Sequence, residues 1–169
     1  MKTKIAIFRM LLLAVPAALL MAFTTLPDYA NFSGDWKLNE GKSELGEFGG
    51  RGVATALKVE QKADAITITR TTQGFGGNGP VNNTVTMTFD GKVTESEGFM
   101  GSKRKSSASW SADGKTLTIS NQMNFERDGQ SMEIKGTEVW TLGADGTLII
   151  NNTTASQMGE FSTKAIYNK

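Results

Sequence analysis

The chain has 169 residues, with 18 Lys and Arg, 17 Asp and Glu, no His and no Cys. Lacking His and Cys, it has none of the commonest general bases, metal ligands or thiol nucleophiles, and near-neutrality, at a formal net charge of +1, argues against a nucleic-acid binder. The sequence therefore reads as a non-enzyme with no metal, no cofactor and no disulfide framework.

In chain order, residues 1–24 read as a signal peptide. Lys2, Lys4 and Arg9 lead into one apolar stretch from Met10 to Phe23, too short for a comfortable membrane span. The small residues Ala22, Thr24 and Thr25 place the cut between positions 22 and 25. Removing the three leader cations leaves 15 Lys and Arg against 17 Asp and Glu, a net charge of −2 on residues 25–169. The remainder is long enough for one domain with a substantial core and has no integral membrane segment. An exported chain with neither bridges nor a lipidated cysteine fits a bacterial periplasm or exterior.

From there on, short runs of Val, Ile and Thr alternate with polar residues, an all-β signature. Strands are predicted near 32–38, 53–61, 65–72, 81–89, 92–97, 103–111, 115–125, 130–141, 147–155 and 161–168. Asp90-Gly91, Asp113-Gly114, Asp128-Gly129 and Asp145-Gly146 fall between such runs, and Asp-Gly supplies the positive φ that tight hairpins need. Consecutive strands are then antiparallel neighbours in a meander of about 8–10 strands. Closure into an up-and-down β-barrel removes its edges; the alternative is a two-sheet sandwich.

Connections in a meander alternate between its two ends. One end receives the short connections at 62–64, 90–91, 113–114 and 145–146, the other the longer or Gly-rich segments 39–52, 73–80, 98–101 and 156–160 with the turn at 128–129. Trp36, Trp110 and Trp140 sort toward the short-turn end and should meet there as a floor. Phe48, Phe75, Phe99, Met100, Phe125 and Phe161 sort toward the long-loop end with Met158, as an apolar mouth.

Strand parity puts Ile66 with Ile68, Val85 with Met87 and Phe89, Leu117 with Ile119, Met123 and Phe125, and Met132 with Ile134 and Trp140 on interior faces. Arg70 and Glu138 share those faces, where an unpaired charge is costly. Arg70 either grips a ligand carboxylate or pairs with Glu138. Lys103-Arg104-Lys105 reads as a solvated strand end.

The run Phe32-Ser33-Gly34-Asp35-Trp36-Lys37-Leu38, followed by the meander, the Asp-Gly hairpins and a last strand ending in Tyr167, resembles the opening and architecture of lipocalins and fatty-acid-binding proteins. The resemblance covers residues 25–169 and is specific at Gly34-Asp35-Trp36. It implies a calycin-like β-barrel whose Trp plugs the closed end and whose other end admits an apolar molecule. Several family features are missing: five glycines in 39–52 oppose the helical pair of fatty-acid-binding proteins, Lys164-Ala165-Ile166-Tyr167 is not their Arg-x-Tyr, and the lipocalin Thr-Asp-Tyr is absent. The late-strand arginine that packs on the lipocalin Trp can be replaced here only by Lys164 or Lys169.

The functional expectation is an exported container for a small apolar or amphipathic molecule, with Phe48, Phe75, Phe99, Met100, Phe125, Phe161, Arg70, Met87, Met123 and Met132 as the ligand-binding set. The alternative is a filled barrel acting as a structural or interaction module of the bacterial envelope.

Overall fold

The computed structural model describes residues 28–46, 50, 52–74, 78–98, 101–127 and 129–169. Ten strands occur among the described residues: β1 (Gly34–Leu38), β2 (Ala56–Gln61), β3 (Ala65–Thr72), β4 (Val81–Thr88), β5 (Thr94–Glu97), β6 (Lys103–Trp110), β7 (Leu117–Arg127), β8 (Gln130–Leu142), β9 (Leu148–Ser156) and β10 (Gly159–Asn168). They form one antiparallel sheet in the order β4-β3-β2-β1-β10-β9-β8-β7-β6-β5, so the chain is a meander and not a sandwich. β1 pairs with β10, Leu38 opposite Tyr167, which joins the two ends of the domain. The sheet nearly closes into a barrel: β4 and β5 share no backbone ladder, and Asn83 Nδ2 of β4 donates to the Glu97 carbonyl of β5 at 3.4 Å. No helix among the described residues is long and apolar enough to cross a membrane.

The alternation predicted from sequence is seen strand by strand. Leu57 and Val59, Ile66 and Ile68, Leu117 and Ile119, and Ala165 and Tyr167 are buried, while the intervening positions are more exposed. Between β3 and β4 the outer face carries a ladder of Thr67 to Thr86 at 2.9 Å, Thr69 to Thr84 at 2.8 Å and Thr71 to Asn82 at 2.7 Å, the cross-strand pairing that β-branched hydroxyls favour. Lys58, Glu60, Lys103, Lys105, Glu133 and Lys135 also face out, a distribution opposite to that of a lipid-facing barrel.

Three of the Asp-Gly turns share one device. Asp90, Asp113 and Asp145 each accept, through Oδ1, the backbone N–H two residues on, from Lys92, Lys115 and Thr147 at 3.1–3.2 Å. The same oxygens take the hydroxyls of Thr88, Ser111 and Thr147, and the following glycines sit at φ of 71° to 78°. These bonds lower all three carboxyl pKa values. In Asp90 the Lys92 ammonium leads, helped by Thr88, and brings the carboxyl to about 2; in Asp113 the leading cause is the Ser111 hydroxyl and in Asp145 the Thr147 hydroxyl.

The floor is built differently from the expectation. β1 begins at Gly34, two residues later than the predicted run, and Phe32 lies outside the ladder, fully buried beneath the barrel. Phe32 stacks on Trp110 at 5.6 Å and meets Trp140 edge-on at 5.8 Å, while its carbonyl accepts Trp36 Nε1–H at 2.8 Å. The three tryptophans therefore converge on Phe32 and not on one another. Gln61 clamps this plug segment: its Oε1 accepts the Phe32 N–H at 3.0 Å and its Nε2 donates to the Ala30 carbonyl at 2.9 Å. Lys169 places its Nζ 5.5 Å from the Trp36 ring centre, the substitute cation foreseen from sequence. Gly34, at φ +146°, leaves room for the Lys169 stem, which a Cβ would approach to 2.8 Å.

Candidate functional site

Above this floor the interior changes character. Arg70 on β3 and Glu138 on β8 stand on opposite walls, five strands apart whichever way the sheet is followed, yet Arg70 Nη2 lies 2.9 Å from Glu138 Oε2. Both side chains are largely buried, at 16% and 13% exposure. The pair is a brace across the lumen. It is the pairing that the sequence offered as one of the two readings of Arg70.

Glu138 is held from several sides. Its Oε2 also accepts Trp140 Nε1–H at 2.8 Å, and its Oε1 accepts Asn121 Nδ2–H at 3.4 Å; Asn121 Oδ1 in turn accepts the Ser106 hydroxyl at 2.7 Å. Arg70 also packs over the Trp140 ring at 5.6 Å, tying the brace to the floor. Nearby, the buried Tyr167 hydroxyl donates to the Ala54 carbonyl at 3.0 Å. Burial raises its pKa well above the usual phenol value, so Tyr167 is neutral at physiological pH.

Arg104 joins this polar belt and corrects the reading of the basic run. Lys103 and Lys105 are exposed, but Arg104 has the parity of Ser106 and Ala108, which are buried, and is turned inward. Burial lowers its pKa, the Arg70 guanidinium lowers it further, and Glu138 raises it in part. Parity was the signal that could have found it; reading the three cations as one block hid it.

Beyond the belt the wall is apolar again. Met123 pairs in register with Ile134, and Phe125 with Met132; Phe161 lies on the same inner face of β10 as Ala165 and Tyr167. Met123 is buried, whereas Phe125, Met132, Ile134 and Phe161 are only half-buried. Met87, from the same expected set, is fully buried among the floor residues and lies below the belt. Phe48, Phe75, Phe99 and Met100 lie outside the described residues.

Two concavities lie away from this interior. One of about 330 Å³ opens at the closed end between Tyr29, Phe89 and Trp110; another of about 490 Å³ lies along β1 to β3 around Trp36, Lys58 and Thr69. Among the described residues no group of three or more His, Cys, Asp or Glu could hold a metal ion. Comparison with protein-family models, curated proteins and solved structures finds no match.

Proposed function

We propose that this protein is exported through residues 1–24 to a bacterial periplasm or exterior and there reversibly holds a small amphipathic molecule in the upper half of its barrel. The observation carrying this reading is the contrast within one interior. Below the Arg70–Glu138 brace Ile66, Ile68, Met87, Leu117 and Trp140 are fully buried, whereas above it Phe125, Met132, Ile134 and Phe161 occupy inward-facing positions and are only half-buried. Apolar side chains lining a concave space gain by excluding water from it, which an apolar guest accomplishes.

Native mass spectrometry of gently purified protein, followed by organic extraction, tests the reading. The expected result is a bound small-molecule mass, or one equivalent of a hydrophobic fluorophore taken up by stripped protein. A Phe125→Ala, Phe161→Ala variant should lose uptake with unchanged near-ultraviolet circular dichroism. Absence of both a bound mass and uptake overturns the container. Sequencing the amino terminus of the protein recovered from a periplasmic fraction checks export, with a start between positions 23 and 26 expected.

A further inference from the structure

We propose that Arg104 and Ser96 form a binding site for a single oxyanionic group, a carboxylate or sulfonate, inside the barrel beside the β4–β5 seam. The proposal deepens the container reading by naming the polar group of its guest, and it rests on that reading wherever the anion is carried by an amphiphile.

The first observation is a charge imbalance. The belt brings together two guanidinium groups, Arg70 and Arg104, and one carboxylate, Glu138. The carboxylate is committed: Oε2 takes Arg70 and the Trp140 indole, and Oε1 takes Asn121. Among the described residues no carboxylate lies within ion-pair distance of Arg104, and Tyr167, the other titratable group nearby, is neutral and spends its hydroxyl proton on Ala54. One positive charge is thus in surplus where water is partly excluded, and an anion compensates such a charge most directly.

The second observation concerns hydroxyls. Ser96 on β5 is the direct register partner of Arg104 on β6, and its Oγ is buried without a hydrogen-bond partner. Thr163, on the inner face of β10, also has a buried and unpartnered Oγ1. A buried hydroxyl without a partner is uncommon and costs free energy until one arrives. A guanidinium fork and an adjacent hydroxyl donor together suit a group with two or more oxygens sharing one negative charge.

The third observation is access. β5 is an edge strand, joined to β4 across the seam by the Asn83 to Glu97 bond at 3.4 Å, without a backbone ladder. Ser96 stands on that edge, so a small anion would enter by the seam, and the half-buried Phe125, Met132, Ile134 and Phe161 above the belt would face the chain of an amphiphile.

Calorimetric titration of the mature protein with dodecanoate, dodecanol and acetate tests the site. Dodecanoate should bind at least about tenfold more tightly than dodecanol, as expected for one charge-assisted bond, and Arg104→Gln should bring the two to equal affinity. Arg104→Lys keeps the charge but not the fork and should retain part of the preference; it also carries the test should Arg104→Gln fail to fold by near-ultraviolet circular dichroism. Equal binding of dodecanoate and dodecanol by the parent, or a preference unmoved by either Arg104 variant, overturns the anion site and leaves the container standing. Acetate bound in an Arg104-dependent way, with neither long chain bound, supports the site as one for a free anion and removes the container. No binding of any of the three overturns both.

Discussion

Replacing Glu138 by Leu should be among the most damaging single substitutions in this protein. The change removes one buried carboxylate and strands two guanidinium groups, Arg70 and Arg104, in the belt, while the Trp140 indole and Asn121 amide lose their acceptor. Breaking a buried pair from one side costs about 3–5 kcal/mol, which in a domain of this size lowers Tm by about 6–20 °C. Arg70→Met should cost less, about 1.5–3 kcal/mol, because Glu138 keeps its indole and amide donors with Arg104 still nearby. In the double variant an unpaired indole N–H costs about 1–3 kcal/mol, while relief of charge burial returns about 1–4 kcal/mol, so stability should stay within about 2 kcal/mol of the parent. Urea denaturation of the four proteins closes a double-mutant cycle. Additive losses, a Glu138→Leu cost below about 1 kcal/mol, or a larger loss for Arg70→Met would refute the lumen-crossing brace.

Trp36→Ala should destabilise by about 3–5 kcal/mol, since the ring is 3% exposed, and Trp36→Phe by about 1 kcal/mol for the lost bond to the Phe32 carbonyl; chemical denaturation measures both. Trp110→Phe should be nearly neutral or stabilising, because Trp110 Nε1–H is buried without a partner while the ring's contacts with Phe32 and Phe89 can be kept; a loss above about 2 kcal/mol would show that the indole finds an acceptor in solution. Acid should loosen the closed end: the depressed carboxyl pKa values of Asp90, Asp113 and Asp145 contribute stability that is present above pH 4 and lost as pH falls toward about 2, where Asp90 protonates. An Asp90→Asn, Asp113→Asn, Asp145→Asn variant should show a shallower fall in Tm between pH 5 and pH 2, and an unchanged slope would assign acid sensitivity elsewhere.

Much of the site was visible one strand at a time. Parity alone turned Met123, Phe125, Met132 and Ile134 inward, and the loop lengths sorted Phe125 and Phe161 to one end, because the two-residue period of a strand is a property of the local backbone. The same rule placed Arg70 and Glu138 inside but could not say that they touch. Their contact depends on how many strands close the barrel and how those strands are staggered. Arg104 obeyed parity as well, although its two exposed lysine neighbours masked it. Phe32 shared the parity of Trp36 in the predicted first strand, but its place beneath the barrel, outside the ladder, depends on Gln61, 29 residues away, which bonds its N–H and the carbonyl of Ala30.

The sequence by itself determined the ten strands, their hairpin order and the inward face of each, since alternation and Asp-Gly chemistry act over two to four residues. Only the tertiary structure decided what the inward faces do to one another: a floor gathered on Phe32, a brace between opposite walls, an open seam at β4 and β5, and one surplus guanidinium in the belt. These depend on distances across the lumen, which no local pattern along the chain encodes.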